Sequence, residues 1–178
     1  PDRFWENNVE KSKPIFDYCG ENDVRLLYAS SAGAHGWSQN PYAITKKVNE
    51  VQAPPNSVGM RFFNVWAEND SRPDMLYRML QENTAKYITR HERDYIHVND
   101  VVSAIAYLMP STYIGPIDVG TGQKTSILKL AEAMGRPNLP IKENTPGEPD
   151  TLCADTSKLC ELGWFPTINI MDQFNGNI

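Results

Sequence analysis

Tyr42 and Lys46 stand four residues apart and have the side-chain types that proton-transfer chemistry needs. If this segment is helical, positions i and i+4 share a face, so the phenol and the ammonium can point into one cleft. A free phenol is a poor base at neutral pH, and lowering its ordinary pKa of about 10 by ~3 units takes about 4 kcal/mol. A cation held close by in a sheltered site can supply this stabilisation, and the phenolate could then remove a proton from a hydroxyl.

Two serines give this pair its context. Ser30 and Ser31 follow the apolar run Val24–Ala29 and precede the segment that carries Tyr42. Such a run is typical of a buried parallel strand, and open α/β sheets bind ligands at the carboxyl ends of their strands. A serine there could hold a substrate oxygen, whereas the alternative is a serine that only caps a turn. The alternative for Lys46 is a solvated lysine one turn from a half-buried tyrosine.

Strands alternate with helices along the chain, which predicts an α/β fold with a mostly parallel sheet. The helix with Tyr42 is expected over 41–52, where Asn40 can cap its start, Pro41 suits its first position and Pro54-Pro55 ends it. Before this helix, a helix flawed by Pro14 is predicted over 4–18 and a strand at 24–29. After it, the predicted elements are a strand at 58–65, a helix over 74–82, and a helix over 99–109 that residues 95–98 precede. They are followed by a strand at 117–119, a helix from Thr125 or Ser126 to Met134, a loop over 136–150, and a helix to Leu162 that Asp155 caps.

The composition disfavours several classes of protein. The net charge is −5 and the pI is about 5.2, without a basic stripe, so neither nucleic acid nor an anionic membrane is an expected partner. Three cysteines without CxxC spacing predict no disulfide framework and favour the cytoplasm. The histidines are scattered, so no metal site is expected. No signal-peptide pattern opens the sequence, and no apolar run approaches the roughly 20 residues that cross a bilayer.

The segment around the pair is similar to a known family. YASSAGAHG followed by PYAITKKVNE resembles the active-site stretch of extended short-chain dehydrogenases/reductases, in which Ser, Tyr and Lys form the catalytic group. Four further segments resemble the family in the same order. They are FWENNVEKSKPIFDY, MRFFNVWAE, RDYIHVNDVVSAI, and IDVGTGQKTSILKLAEAMG followed by PGEPDTLCADTSKLCELGWFPT. The chain is therefore identified as a member of the NAD-dependent epimerase/dehydratase group.

The resemblance implies a fold and a division of the chain. The fold would be α/β, with the second half of a Rossmann-like parallel sheet and a small C-terminal α/β substrate-binding region. Residues 1–66 would hold the catalytic Ser, Tyr and Lys, 67–98 would be a substrate-binding segment, 99–125 would return to the sheet, and 126–178 would bind substrate. Nothing in the sequence matches the N-terminal βαβ unit with its glycine-rich turn that the family uses to cradle NAD.

The resemblance also implies catalytic roles. Tyr42 would be the general base, and Lys46 its electrostatic partner and a ligand of the nicotinamide ribose. Ser31 would hold the 4-hydroxyl of the sugar, and Ser30 would lie with Tyr42 and Lys46 at the NAD cofactor. Asn8 would help to order a proton-relay water, with a helix-surface asparagine as the alternative.

Substrate contacts are implied at three positions besides Ser31, namely Asn64, Arg93 and Arg72. Asn64 and Arg93 would contact the nucleotide diphosphate, since a guanidinium pairs with phosphate oxygens through two parallel bonds. The alternative for Arg93 is an ion pair with Asp94 or Glu92.

RDYIHVNDV is similar to UDP-glucose 4-epimerases, whereas YAITKKVNE and the RPDM segment that begins at Arg72 resemble UDP-glucuronate 4-epimerases.

The implied activity is NAD-dependent epimerisation of a UDP-sugar through a transient 4-keto sugar, by a possible homodimer. Two alternatives stay open. One is a catalytically inactive homologue or fragment that binds a nucleotide sugar or a partner protein. The other is a 4,6-dehydratase or a reductase, although family dehydratases carry Thr-Asp-Glu where this chain has Ser31-Ala32-Gly33.

The sequence also departs from the family. The segment between Ser31 and Tyr42 is short, and His35 stands where the family usually has tyrosine. Ala67-Glu68 replaces a Gly-Pro pair, and Thr145 stands where a phosphate-binding arginine is expected.

Overall fold

The computed structural model describes residues 2–69, 71–143 and 148–174, without the side chains of residues 37–39. The strands are β1 (Leu26–Ser31), β2 (Ser57–Phe62), β3 (Asn64–Trp66), β4 (Glu92–Arg93), β5 (Tyr95–His97), β6 (Gly115–Val119), β7 (Thr125–Ser126) and β8 (Thr151–Leu152). The α-helices are α1 (Asp2–Trp5), α2 (Lys13–Glu21), α3 (Pro41–Gln52), α4 (Leu76–Gln81), α5 (Val98–Leu108), α6 (Ile127–Ala133) and α7 (Ser157–Leu162). A π turn spans Glu6–Glu10, and 3₁₀ segments span Ala32–Gln39 and Asp172–Phe174.

The chain forms two compact units. The first contains Pro1–Phe62, Val102–Val119 and Ser157–Trp164, and the second contains Phe63–Val101, Gly120–Thr156 and Phe165–Ile178. The predicted α/β class with mostly parallel strands is confirmed, because β1-β2-β6 and β3-β5 are parallel, and β4 pairs parallel with β8 and antiparallel with β7. The division into four segments at 66, 98 and 125 stays a prediction.

The sheet of the first unit places three polar side chains in one row. Ser30 of β1 pairs with Arg61 of β2, and Arg61 pairs with Asp118 of β6. Because side chains directly opposite one another in a sheet share a face, these three groups can interact across the strands. The row lies next to the carboxyl ends of the strands, where β1 ends at Ser31.

Helix α3 forms where the sequence predicts it. The Asn40 side chain accepts hydrogen bonds from the backbone N–H groups of Tyr42 and Ala43, and Pro41 occupies the first turn. Ala53 follows with φ −60° and ψ 141°, an extended conformation that a residue before proline favours. The predicted bounds 41–52 are therefore confirmed.

The N-terminal helical stretch differs from the predicted single helix over 4–18. It consists of α1, the π turn and α2, and Pro14 lies in the first turn of α2. Proline fits there because the first N–H groups of a helix have no intrahelical acceptor. Pro14 therefore begins a helix instead of disturbing one, and the irregular turn lies at Glu6–Glu10, around Asn8.

The predicted strand over 58–65 is two strands. Strand β2 ends at Phe62, and β3 begins at Asn64 and pairs with β5 in the second unit. Phe63 between them is buried. A continuous apolar run indicates burial, but it carries no information on which strand is the neighbour, so the change of partner at Phe63 was not predictable from the pattern.

Apolar side chains of α4, α6, β3 and β5 form the core of the second unit, including Trp66, Tyr77, Leu80, Tyr95, Ile127, Leu130 and Ile170. The helix predicted over 74–82 begins only at Leu76, and that predicted from Asp155 begins at Ser157. The helix predicted to run to Met134 ends at Ala133, and Gly135 follows with φ +73°, a left-handed conformation that favours glycine.

Asp94 is a buried anchor of the second unit. Its carboxylate oxygens accept hydrogen bonds from the backbone N–H groups of Thr121, Gly122 and Ala154 at 2.8–3.2 Å, and from the Thr121 hydroxyl at 2.7 Å. A Cβ atom on Gly120 would lie 2.7 Å from Asp94 Oδ2, so only glycine fits beside this carboxylate. One side chain thereby fixes the turn after β6 and the segment after β8.

No helix in the described ranges is long and apolar enough to span a membrane. Among the same residues, no group of three or more potential His, Cys, Asp or Glu ligands is arranged to hold a metal ion.

Candidate active site

Tyr42 and Lys46 lie one turn apart on α3, and the structure brings their side chains together. Lys46 Nζ is 5.7 Å from the centroid of the Tyr42 ring. The same ammonium donates a hydrogen bond of 2.8 Å to the carbonyl of Ala29 in β1. Burial lowers the pKa of Lys46 from its ordinary value. The Lys46 ammonium is thus fixed between α3 and the end of β1, and water screens its charge only in part.

A second ring orients Tyr42. Phe4 of α1 packs edge-on against it, with ring centroids 5.6 Å apart and an angle of 63° between the planes. Edge-to-face pairs of this kind are favourable beyond the area that they bury. The Tyr42 hydroxyl makes no hydrogen bond to any other side chain or backbone group in the described ranges, so its oxygen is available to a ligand.

Ser31 is the last residue of β1 and the N-cap of the 3₁₀ segment Ala32–Gln39. Its Oγ accepts a hydrogen bond of 3.2 Å from the backbone N–H of Gly33. Ser31 therefore does cap the turn that follows β1, as the alternative interpretation of this serine predicts. A hydroxyl has two lone pairs and one proton, so this bond leaves Ser31 able to donate to a substrate oxygen as well.

Asn8 is connected to the Tyr42 segment through Thr45. Asn8 Nδ2 donates to Thr45 Oγ1 at 2.9 Å, and Thr45 Oγ1 donates to the Tyr42 carbonyl at 2.7 Å. Thr45 is buried, so the π turn is tied to the interior of α3 and Asn8 is not simply a surface residue. Its role in ordering a water stays a prediction.

Ser30 belongs to a buried ionic network behind the site. Its hydroxyl donates to Glu50 Oε1 at 2.7 Å, and Ser30 itself is 3% exposed. Arg61 donates to both oxygens of Glu50, from Nε at 2.7 Å and from Nη2 at 2.8 Å. Lys47 adds a contact of 3.2 Å to Glu50. The Ser30 hydroxyl is thus used within the protein, and a cofactor contact of Ser30 stays a prediction.

Glu50→Gln is expected to flatten the loss of stability in acid. Burial raises the pKa of Glu50, but hydrogen bonds from Arg61 and Ser30 and the charge of Arg61 outweigh it, so the pKa in the folded chain lies below its ordinary value. Such a carboxyl adds stability above the unfolded pKa of about 4.3, and that stability is lost as the pH falls through the folded pKa. Urea unfolding at a series of pH values between about 7 and 3 measures the effect.

The wild-type chain should lose more unfolding free energy than the variant over this interval, starting from a higher value. Glu21→Gln, which removes an exposed carboxylate of α2, is the matched control and should follow the wild type. Parallel curves for wild type and Glu50→Gln would show that Glu50 is not the stabilising carboxylate.

Three of the predicted substrate-binding residues, Asn64, Arg93 and Arg72, belong to the second unit, whereas Tyr42, Lys46, Ser31 and Asn8 belong to the first. The Asn64 side chain donates to the Asp94 carbonyl at 3.1 Å. Arg72 is exposed and forms two hydrogen bonds to Asp74.

Arg93 lies over the turn at residues 148–150. Its Nη1 donates to the carbonyls of Glu92, Pro149 and Asp150 at 2.9–3.2 Å, and its Nη2 is 3.6 Å from the Glu148 carboxylate. Burial lowers the pKa of Arg93. The alternative of an ion pair with Asp94 or Glu92 is not what the structure shows, because Arg93 contacts the carbonyl of Glu92 and the carboxylate of Glu148. Thr145, predicted to replace a phosphate-binding arginine, lies outside the described residues.

Sequence reasoning missed Phe4, Thr45 and Glu50 as supports of the site. Glu50 follows Lys46 by four residues, so the helical spacing that selected Tyr42 and Lys46 also selects Glu50. A buried acid one turn beyond the lysine was therefore detectable. Its partner Arg61 was not, because the contact joins α3 to β2 and depends on how these two elements pack together.

The chain matches the family model described as the NAD dependent epimerase/dehydratase family over residues 1–117. It belongs to this family, whose members are NAD-dependent enzymes.

Several solved structures share the fold. UDP-N-acetylglucosamine 4-epimerase from Methanobrevibacter ruminantium M1 is 22% identical with a TM-score of 0.78, over 97% of this chain and 67% of that one. UDP-glucose 4-epimerase from Thermotoga maritima is 21% identical with a TM-score of 0.77, over 95% and 67%. dTDP-glucose 4,6-dehydratase from Bacillus anthracis str. Ames is 16% identical with a TM-score of 0.79, over 97% and 66%. The chain thus spans about two thirds of the length of these structures.

Proposed function

We propose that this chain carries the catalytic residues of an NAD-dependent UDP-sugar 4-epimerase of the glucose or glucuronate type. The observation that carries the proposal is the position of Lys46. Its ammonium lies beside the Tyr42 ring and is hydrogen-bonded to Ala29, two residues before Ser31. The cation and the phenol thereby lie beside the strand that ends at Ser31, and α/β sheets bind ligands at the carboxyl ends of their strands.

The residues present fit the nicotinamide ribose of NAD. An ammonium has three N–H donors, and Lys46 uses one of them on Ala29, so two stay available for ribose hydroxyls. Tyr42, one turn away, offers its hydroxyl to the same ligand. When bound, NAD would supply the hydride chemistry at carbon 4 of the sugar.

The protein's own residues transfer the proton of the 4-hydroxyl. Tyr42, as phenolate, takes the proton of the 4-hydroxyl, and the charge of Lys46 favours that phenolate. Ser31 donates a hydrogen bond to the same sugar oxygen and holds it in place. Phe4 and the Asn8–Thr45 contact keep the Tyr42 turn rigid. When the 4-keto sugar presents its other face, Tyr42 returns the proton.

Three residues of the second unit are assigned to the substrate. Arg93 and Asn64 contact the diphosphate, for which the planar guanidinium of Arg93 is suited. Arg72 contacts the sugar, and its positive charge suits the carboxylate of glucuronate. The active form is a homodimer in the cytoplasm.

Incubation with UDP-glucose or UDP-glucuronate and NAD tests the function. The chain spans about two thirds of the related structures, so the assay is run in parallel with the chain alone and with the dinucleotide-binding module of a relative added. The expected product is the 4-epimer of one of these sugars, detected by proton NMR. A 4-keto-6-deoxy product would indicate a dehydratase, which Ala32 and Gly33 disfavour because neither is an acid. Binding of the UDP-sugar without turnover would indicate an inactive homologue.

A further inference from the structure

His35 is held between a carboxylate and a guanidinium. Its Nε2 lies 2.8 and 3.0 Å from the two oxygens of Asp118. Arg61 Nη1 lies 3.4 Å from His35 Nδ1 and 3.3 Å from Nε2. The His35 side chain is 45% exposed, whereas that of Asp118 is only 6% exposed. The imidazole therefore connects the 3₁₀ segment after Ser31 to the polar row of the sheet.

The contacts define the direction of the hydrogen bond between His35 and Asp118. A carboxylate only accepts hydrogen bonds, so Nε2 carries a proton and donates it to Asp118. The same carboxylate lies 3.6 Å from Arg61 Nη1, so the bond joins the imidazole to the ionic network that also contains Glu50.

His35 lies in the 3₁₀ segment Ala32–Gln39, which follows Ser31, and its bond to Asp118 holds this segment against the sheet. Ser31 accepts the Gly33 N–H, and a Cβ atom on Gly33 would lie 3.4 Å from that of Ala43, so the segment rests closely on α3. Ala32 and Ala34 are buried, and His35 supplies the polar contact at the end of this turn. The turn is thereby fixed at three points: Ser31 in β1, Ala43 in α3 and Asp118 in β6.

We propose that His35 is a positioning residue for Ser31, which holds the turn after β1 in place through its Nε2–H bond to Asp118. Histidine takes this role in a chain whose family usually has tyrosine at the position. The effect of His35 on turnover rests on the proposed function of Ser31. The effect of His35 on the turn does not, because the Ser31–Gly33 hydrogen bond can be measured by itself.

Two variants separate the hydrogen-bond donor from the rest of the ring. In His35→Gln the side-chain amide can still donate to Asp118 from near the position of Nε2. His35→Ala removes the donor. Amide hydrogen exchange at Gly33 is the activity-independent readout, since this N–H is bonded to Ser31 Oγ. We expect exchange to be about tenfold faster in His35→Ala and close to wild type in His35→Gln.

Steady-state kinetics provide the second readout. His35→Gln should keep the wild-type kcat and KM, whereas His35→Ala should have a kcat about tenfold lower with KM little changed. Equal Gly33 exchange in His35→Ala and wild type, or a ¹⁵N spectrum that shows no proton on Nε2, overturns the proposal. Absence of turnover in the wild type, with the exchange result as expected, would overturn the proposed function alone.

Discussion

Tyr42→Phe is expected to lower kcat for UDP-sugar epimerisation by ~10²–10⁴-fold, the range that a positioned general acid–base contributes. The variant keeps the ring that packs against Phe4 and lies beside Lys46, and it removes only the hydroxyl. That hydroxyl has no hydrogen-bond partner within the described ranges, so its loss should leave the unfolding free energy within about 0.5 kcal/mol of the wild type. Initial rates and urea unfolding of the same preparation measure the two quantities.

Tyr18→Phe is the matched control, because Tyr18 on α2 is 62% exposed and loses the same atom. It should retain the wild-type kcat. If Tyr42→Phe turned over at the wild-type rate, Tyr42 would not be the base, and the contact between the phenol ring and the Lys46 ammonium would be structural only. An equal fall in kcat and in unfolding free energy would point to a packing role instead.

Asp94→Asn is expected to cost the chain about 2–4 kcal/mol of unfolding free energy, because it leaves buried N–H groups without an acceptor. Both oxygens of Asp94 accept: Oδ1 from Thr121, and Oδ2 from Gly122 and Ala154. Whichever way an asparagine amide is turned, its NH₂ group faces at least one of these donors. Asp94 is fully buried, so water cannot replace the lost acceptor. A loss of this size is a large part of the 5–15 kcal/mol by which domains are stable.

Urea unfolding followed by circular dichroism measures this cost. Glu132→Gln makes the same kind of exchange at an exposed position of the second unit and should change the free energy by less than about 0.5 kcal/mol. A cost below about 1 kcal/mol for Asp94→Asn would mean that the carboxylate does not anchor the segments at 121–122 and 154.

The parts of the fold that the sequence predicted correctly are those set by local signals. Helix α3 begins at an asparagine that caps it and ends before a proline pair, and both signals act through neighbouring backbone atoms. Tyr42 and Lys46 share one face because of helical geometry alone. The apolar run Val24–Ala29 predicted a strand, and β1 lies two residues further along, at Leu26–Ser31, with Ser31 as its last residue.

The parts that the sequence did not predict depend on distant contacts. The π turn around Asn8 accompanies a hydrogen bond to Thr45, 37 residues away. The break at Phe63 reflects a change of neighbouring strand, which no periodicity records. The contacts of Arg93 with residues 148–150 are 56 and 57 residues away in sequence for Pro149 and Asp150. Residue type and spacing indicated that these positions are polar or buried, but not which group meets which.

The row formed by Ser30, Arg61 and Asp118 has a consequence for protein engineering. Ser31, Tyr42 and Lys46 all lie within a single short stretch of chain. This stretch is therefore an obvious candidate for transfer as a unit into another protein. The stretch also contains His35 and Glu50, whose partners Asp118 and Arg61 come from β6 and β2. A graft that omits positions 61 and 118 would deprive the buried Glu50 of the guanidinium that binds both of its oxygens, and His35 of its acceptor. The smallest portable set therefore includes those two distant side chains.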